Sequence, residues 1–132
     1  MSWSGYVDSL KANYAGNVAA AGLFGFNGST WAQEGFDHAA ANYQEIIDLY
    51  NLFTDPSSGF ANGFTFNGEK FVLVKCSEDS LQAKSKAEGK NPFSVEKSNQ
   101  CLTIARGVDG SNGGSLSLAV GKIADYLKAN NY

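Results

Sequence analysis

Residues 17–36 read NVAAAGLFGFNGSTWAQEGF, and this stretch carries the clearest fold signal in the chain. Asn27-Gly28 separates two extended runs, and this dipeptide is typical of a two-residue β-hairpin turn. The small residues 19–22 precede it, and they suit a central strand against which helices pack closely on both faces. The stretch therefore predicts a hairpin inside a sheet that is covered on both sides.

Apolar residues at helical spacing mark a helix at each end of the chain. The first helix carries Trp3, Val7 and Leu10 on one face, with Ser2 as its N-cap. The final segment, residues 114–132, reads GSLSLAVGKIADYLKANNY. Its apolar face consists of Leu116, Val120, Ile123 and Leu127. One face of the sheet could take both helices side by side.

The middle of the chain predicts one more helix and then a run of strands. The helix is expected to begin at Asn42, with Glu45 as its capping partner, and to stop at Asp55-Pro56. Residues 59–76, GFANGFTFNGEKFVLVKC, are typical of β structure, with turns at Asn62-Gly63 and Asn67-Gly68. Weaker strand signals lie in residues 80–97, and QCLTIARGV (100–108) predicts a buried strand. In chain order this is an α+β fold with a central sheet, in one domain over residues 1–132.

Composition excludes several functional classes. The chain has 132 residues, 43% of them hydrophobic and 17% charged, which are globular values. A net charge of −3 argues against a nucleic-acid binder, because phosphate neutralisation needs a surplus of lysine and arginine. No apolar run approaches the roughly 20 residues of a membrane span, and no basic segment with an apolar run opens the chain. Cys76 and Cys101 sit singly in apolar runs, which favours two buried thiols in a reducing compartment over a disulfide. We therefore expect a cytoplasmic protein.

No motif in the sequence predicts catalysis. The single histidine, His38, lies in an alanine-rich polar loop without an evident nucleophile partner. The chain has no Cys/His metal spacing and no nucleophile elbow, and its GSNGG segment (110–114) lacks the lysine of a phosphate loop. We therefore expect neither an enzyme nor a protein that holds a metal or cofactor.

Aromatic residues near the two ends of the chain suggest binding instead. If the terminal helices pack together, five aromatic residues could gather on one side of the protein, away from the sheet: Trp3, Tyr6, Trp31, Tyr126 and Tyr132. Such a surface suits polyproline II, which offers rings to pack and carbonyls that accept hydrogen bonds from Trp N–H and Tyr O–H groups. The alternative is that these are core aromatics with only their polar tips at the surface. The pattern alone leaves both interpretations open.

Four segments, in register over the whole chain, resemble the profilin family. They are SWSGYVDSL (2–10), GSTWAQ (28–33), GFTFNGEKFVLVK (63–75) and IADYLKANNY (123–132). The resemblance implies a central antiparallel β-sheet with the N- and C-terminal helices packed together on one face and a smaller helix on the other. It also implies monomeric actin, proline-rich proteins such as filament nucleators and elongators, and acidic phosphoinositide lipids as partners of a monomer in the cytoplasm and cytoskeleton.

Site residues follow from the same resemblance, position by position. The proline-binding groove would consist of Trp3, Tyr6, Trp31, Tyr126, Leu127 and Tyr132. The actin face would contain Phe60, Lys70, Leu73, Lys75, Lys84, Ser94, Asn112, Gly113 and Gly114. Phosphoinositides would be bound weakly by Lys70, Lys75, Lys84, Lys86 and Lys90. Two positions depart from the family pattern: Lys122 stands where some members have an acidic residue, and Leu118 where others have a basic one.

A protein of this kind would deliver actin to filament-assembly factors by binding alone. The alternative from another class is a sensor or scaffold module, since roadblock-like and PAS-like domains also place helices on an antiparallel sheet. The two differ in one feature. Exposure of Trp3, Trp31 and Tyr132 as one cluster favours the proline groove, whereas burial of all three excludes it.

Overall fold

A computed structural model describes residues 3–14, 16–36, 43–86, 91–108 and 110–132. Within them the chain forms four helices and seven strands. In chain order these are α1 (Trp3–Asn13), β1 (Val18–Gly25), β2 (Thr30–Glu34), α2 (Tyr43–Thr54), α3 (Ser57–Asn62), β3 (Phe64–Phe66), β4 (Glu69–Cys76), β5 (Ser80–Ser85), β6 (Pro92–Lys97), β7 (Cys101–Gly107) and α4 (Gly113–Ala129). The predicted α+β fold with a central antiparallel sheet is confirmed.

The seven strands form one antiparallel sheet in the order β2-β1-β7-β6-β5-β4-β3. Five of the six pairs of neighbouring strands are also consecutive in the chain. The exception is the pair of β1 with β7, which joins the first strand to the last. Because β7 leads directly into α4, this pairing places α4 beside α1 on one face of the sheet. The packing of both terminal helices on one face is as predicted.

Each face of the sheet has its own hydrophobic core. On one face, α1 and α4 bury Leu10, Val120 and Leu127 against Ala21 and Leu23 of β1 and Cys101 and Ala105 of β7. On the other face, α2 buries Ile46 and Leu49 against a phenylalanine-rich layer. That layer contains Phe24, Phe36, Phe64, Phe66, Phe71 and Phe93. The alternation of strand side chains supplies both cores from the same strands.

The region around the first hairpin differs from the prediction in two respects. β1 and β2 are joined by four residues, 26–29, rather than by a two-residue turn at Asn27-Gly28. The backbone N–H of Gly25 donates to the carbonyl of Ser29. Next to this hydrogen bond the register of the two strands shifts between Leu23 and Phe24, as at a β-bulge. β1 is also second from the edge of the sheet rather than central, although small residues do let helices cover both of its faces.

The first four residues of the stretch predicted as β structure, 59–62, belong instead to a short helix, α3. Asn62 ends this helix instead of opening a turn, and Gly63 follows with a φ of +70°. A Cβ at Gly63 would lie 2.3 Å from the carbonyl oxygen of Phe71, so only glycine fits there. The predicted turn at Asn67-Gly68 is confirmed, and both of its residues have positive φ, as a type I′ hairpin turn requires.

The predicted N-caps Ser2 and Asn42 lie outside the described residues. The second helix is described from Tyr43 to Thr54 and ends just before Asp55-Pro56, as expected. Asp55 accepts hydrogen bonds from the hydroxyl and the backbone N–H of Ser57, which start α3. These hydrogen bonds lower the pKa of the Asp55 carboxyl.

A charged hydrogen-bond pair links β7 to β4, which lies three positions away in the sheet order. Arg106 on β7 donates to both carboxylate oxygens of Glu69 on β4, from Nε at 2.6 Å and from the second guanidinium nitrogen at 3.1 Å. Ser85 on β5 donates to the same carboxylate at 2.6 Å. The Arg106 hydrogen bonds hold the pKa of Glu69 below its usual value, partly offset by burial. Glu69 is therefore stabilised in its ionised form in the folded protein.

Replacing Glu69 by glutamine should lower the free energy of unfolding at pH 7 by about 1–2 kcal/mol, since a charged bidentate pair is lost from a partly buried site. Because folding lowers this pKa, the contribution is present above the ordinary glutamate range and disappears as the pH falls below it. Urea denaturation at pH 7 and in acid should therefore show the gap between wild type and Glu69→Gln closing in acid.

The matched control is Asp79→Asn, which breaks the exposed ion pair between Asp79 and Lys128. Pairs this exposed contribute little, so its effect should stay below about 0.5 kcal/mol at either pH. A gap for Glu69→Gln that is equally wide at both pH values would contradict the charged role of Glu69.

Candidate functional site

Five aromatic side chains form a continuous surface, the aromatic track, made of Trp3, Tyr6, Trp31, Tyr126 and Tyr132. The ring centroids of Tyr126 and Tyr6 are 5.8 Å apart, those of Tyr6 and Trp3 5.9 Å, and those of Trp3 and Trp31 4.7 Å. Tyr132 stands edge-on against Trp3 at 4.8 Å. The track thus runs from α4 across α1 to the start of β2.

The rings of the track are only partly buried. Tyr126 is 53% exposed and Tyr132 37% exposed, and Trp3 and Trp31 are half-buried. Tyr6 is the exception, at 6% exposed, because its ring packs into the core between α1 and α4. Trp3, Trp31 and Tyr132 are therefore clustered and partly exposed together, the arrangement that the sequence analysis set as the condition for a groove.

Leu127, the sixth residue predicted for the groove, lies beneath the track. Its side chain is fully buried in the core formed by α1, α4, β1 and β7. It has no exposed surface to offer a ligand. Its contribution is to the packing that supports the track.

The chain end that carries Tyr132 is fixed by hydrogen bonds to the turn between β6 and β7. The hydroxyl of Ser98 and the backbone N–H of Gln100 both donate to the carbonyl of Tyr132. The backbone N–H of Tyr132 donates to the carbonyl of Leu127 at 2.8 Å, after Asn131 reverses the chain with a φ of +69°. These bonds hold the Tyr132 ring against Trp3.

Trp31 is positioned by close backbone packing. A Cβ at Gly25 would lie 2.5 Å from Ser29 Oγ and 3.1 Å from Trp31 Nε1, so the glycine lets the indole lie against the β1 backbone. The ion pair between Lys11 on α1 and Glu34 on β2, at 2.8 Å, links the two elements that carry Trp3 and Trp31. The spacing of the two indoles therefore depends on how α1 packs on β2.

A second exposed surface, the β4–β5 outer face, lies on strands distant from the track in the sheet order. We define it by Val72, Val74 and Lys75 on β4 and Lys84 on β5. Val72 pairs with Lys84, and Lys75 pairs with Gln82, so these positions share one face. Val74 is 51% exposed, and it borders a shallow cleft with Gln82, Lys84 and Gly113. This face combines apolar side chains with positive charge.

The residues predicted to contact actin do not all reach the surface. Leu73 is buried against Gly59 of α3, and Ser94 is buried on β6, so neither side chain offers a contact. Asn112 caps α4 by accepting from the backbone N–H of Ser115. All of the predicted residues except Leu73 and Ser94 are at least partly exposed: Phe60, Lys70, Lys75, Lys84, Asn112, Gly113 and Gly114.

Four of the five lysines predicted to bind phosphoinositides are exposed on β4 or on β5 and the residue after it. Lys84 pairs with Val72, and the backbone N–H of Lys86 donates to the carbonyl of Lys70 at 3.0 Å. Lys75 lies further along β4 on the same outward side. Lys90 lies outside the described residues.

The family model for profilin matches residues 1–132, which is the whole chain. The chain belongs to the profilin family. It is 33% identical to Profilin-P of Physarum polycephalum over 132 residues, which cover all of both chains. Among solved structures it matches Acanthamoeba castellanii profilin II with a TM-score of 0.83 at 25% identity, over 99% of this chain and all of that one. It also matches mouse profilin IIa, solved in complex with a double repeat from the FH1 domain of mDia1, with a TM-score of 0.83 at 22% identity over all of both chains.

Two exposed valines of this profilin, Val72 and Val74, were missed by the sequence analysis. In the run FVLVK (71–75), Phe71 and Leu73 point into the core while Val72 and Val74 point out. Because all four residues of FVLV are apolar, the sequence does not reveal which side of the strand is buried. Lys84, the basic residue on strand β5 that pairs with Val72, is the signal that could have identified the outer side.

Burial shifts the pKa values of three ionisable groups, one under α4 and two thiols, in the direction that favours their neutral forms. Burial raises the pKa of the Glu96 carboxyl, which lies under α4 and accepts a hydrogen bond from Ser80 at 2.9 Å. Burial also raises the pKa of both thiols, those of Cys76 and Cys101. Both cysteines are free, as predicted, with Cys101 fully buried and Cys76 partly buried. Protonated thiols are weak nucleophiles, so these cysteines are structural.

The prediction that the chain has no metal site was made for the whole sequence, and His38 lies outside the described residues. Among the residues that are described, no three His, Cys, Asp or Glu side chains come together in a group that could hold a metal ion. In the same part of the chain, no helix has the length and apolar character needed to cross a membrane.

Proposed function

We propose that this profilin binds proline-rich segments in the polyproline II conformation along its aromatic track. The observation that carries the proposal is the series of ring contacts from Tyr126 to Trp31, in which the buried Tyr6 joins the partly exposed rings of Tyr126 and Trp3. Summed along this path, the three consecutive centroid spacings of 5.8, 5.9 and 4.7 Å correspond to at most roughly five residues of polyproline II at about 3.1 Å per residue. Flat rings suit proline side chains, and the indole and phenol groups are donors for the carbonyls of the ligand.

Mouse profilin IIa supports this proposal, because it was solved with a double repeat from the FH1 domain of mDia1. It shares the fold of this chain, and the aromatic residues here stand at the positions that the family resemblance assigns to the proline groove. We extend proline binding to this chain on both grounds. A sensor module with a ligand cavity is less well supported, since the three aromatic residues that distinguish the two classes are clustered and partly exposed.

Titration with decaproline should give a saturable change in tryptophan fluorescence, because Trp3 and Trp31 would contact the ligand. Tyr126→Ala should weaken binding about tenfold, corresponding to roughly 1–2 kcal/mol for an exposed aromatic contact. Tyr126 is more than half exposed, so the fold should survive the change. Circular dichroism and thermal unfolding check this directly.

Phe60→Ala is the matched control, because Phe60 is 50% exposed but lies on α3, across the sheet from the track. It should leave the affinity for decaproline unchanged. Wild-type protein that shows no saturable response, or equal losses in the two variants, would reject the track as the binding site.

We further propose that the β4–β5 outer face, together with the start of α4, binds monomeric actin. Apolar side chains at Val72, Val74 and the 72% exposed Leu118 provide contact area, and the neighbouring lysines provide positive charge. Exposed apolar side chains grouped in this way are typical of protein interfaces. Binding of this kind would regulate polymerisation without any chemistry by the chain itself, and the proline site would remain free to engage a filament nucleator or elongator.

Val74→Asp should weaken binding to monomeric actin at least about tenfold, because it places a carboxylate in the middle of a desolvated contact. Sedimentation or fluorescence anisotropy with labelled actin monomers measures this affinity. Tyr126→Ala should leave it unchanged. An actin affinity that Val74→Asp does not alter would place the interface elsewhere.

The remaining assignments also follow from the family. We propose that the chain acts as one profilin domain in the cytoplasm, in association with the cytoskeleton. Lys70, Lys75, Lys84 and Lys86 would contact acidic phosphoinositide headgroups. With a net charge of −3 for the chain, that contact should be weak and sensitive to salt.

A further inference from the structure

A groove that carries three amide side chains adjoins the aromatic track at Trp31. It has a volume of about 370 Å³ and lies between the β1–β2 connection and the turn that joins β6 to β7. Trp31 forms one wall and Phe26 another, and the amide side chains of Asn27, Asn99 and Gln100 line the space between them. Because Trp31 belongs to both surfaces, a ligand that lies on the track can extend into this groove.

The orientation of two of these amides is determined by their partners. Asn27 Oδ1 accepts from the backbone N–H of Ser29 at 3.1 Å, which can only donate, so the Asn27 NH₂ group remains a donor. Gln100 Nε2 donates to the carbonyl of Asn131 at 2.8 Å, so Gln100 Oε1 remains an acceptor. Within the described residues neither remaining group makes a hydrogen bond. The groove therefore offers one fixed donor and one fixed acceptor.

A fixed donor and a fixed acceptor together match a peptide unit that has both C=O and N–H. A proline residue has no backbone N–H, so a pure proline tract could pair with Asn27 but not with Gln100. The aromatic track has the opposite preference, because rings suit prolines and O–H and N–H donors suit carbonyls. Track and groove thus favour different residues of a single ligand.

We infer that this groove recognises the non-proline residues that flank a proline-rich segment, through Gln100 Oε1 and the amide of Asn27. This inference rests on the proposed function of the aromatic track. It specifies the ligand further: a proline tract of about five residues followed or preceded by residues that retain backbone N–H groups. The prolines would bind to the aromatic track, and the flanking residues would determine the position of the prolines along it.

The test compares ligands that differ only in backbone N–H groups. Eight prolines are joined to four glycines or to four sarcosines, which are N-methylated glycines, with each extension placed in turn at either end. Wild-type protein should bind the better glycine peptide about fivefold more tightly than its sarcosine counterpart, the effect of one or two hydrogen bonds. Binding is measured by tryptophan fluorescence.

The matched variant is Gln100→Lys, which keeps a donor for the Asn131 carbonyl but removes the acceptor. The glycine-to-sarcosine affinity ratio should fall about fivefold in this variant. Because each ratio is taken within one protein, changes in overall affinity cancel, and comparing the ratios cancels the different flexibility of the two extensions. Asn13→Ala is the control, since Asn13 lines a groove at the opposite end of the track, beside Tyr126.

Three outcomes would overturn the inference. The first is the same affinity ratio in wild type and Gln100→Lys, and the second is a ratio that falls in Asn13→Ala instead. Both leave proline binding on the track intact, because the octaproline part still binds. The third is no binding of any proline peptide, which rejects the proposed function and the groove with it.

Discussion

The pairing of β1 with β7 is the constraint on which both the fold and its surfaces depend. It joins the first strand to the last one, and it therefore brings α1 and α4 together on one face of the sheet. Helices of this kind gain most of their stability from the burial of an apolar face rather than from their own propensity. Here each terminal helix completes the core that buries the other, with Leu10 and Leu127 in the same cluster. The residues that flank those buried faces are then adjacent at the surface.

The aromatic track is a direct consequence of that packing. Trp3 and Tyr6 lie at the edge of the buried face of α1, and Tyr126 and Tyr132 belong to α4 and the residues after it. Only Tyr6 contributes a fully buried ring, and the others share their surface between core and solvent. A ring held on one side by the core loses little conformational freedom when a ligand covers its other side. Partial burial thus serves stability and binding with the same side chains.

The sequence was sufficient for those parts of the fold that have a local periodicity. The stripes of α1 and α4, the stop at Asp55-Pro56 and the turn at Asn67-Gly68 are short-range patterns, and the structure follows all of them. The four-residue β1–β2 connection was not predictable, because it depends on the register shift that passes over Trp31 and on the space that Trp31 takes beside Gly25. The helix α3 was missed for a related reason. It has six residues, and it forms because Gly59 packs closely on Leu52 and Leu73, which are tertiary contacts.

The hardest feature of the site to predict was which residues of each strand face the solvent. An unbroken apolar run such as FVLV gives no indication of which residues face out, and a bulge between Leu73 and Lys75 leaves Val74 and Lys75 exposed in succession. The family resemblance assigned Leu73 and Ser94 to the actin face, although both side chains are buried. The aromatic residues were easier to place, because large rings that flank the apolar face of a helix lie at the boundary between core and solvent.

The two candidate surfaces also differ in what supports them: the track depends on the pairing of chain ends, and the outer face depends on the local register of β4 and β5. A change that loosens the C-terminal half of α4, which carries Tyr126, should therefore affect the track before the outer strands, and the two surfaces are separable in this way.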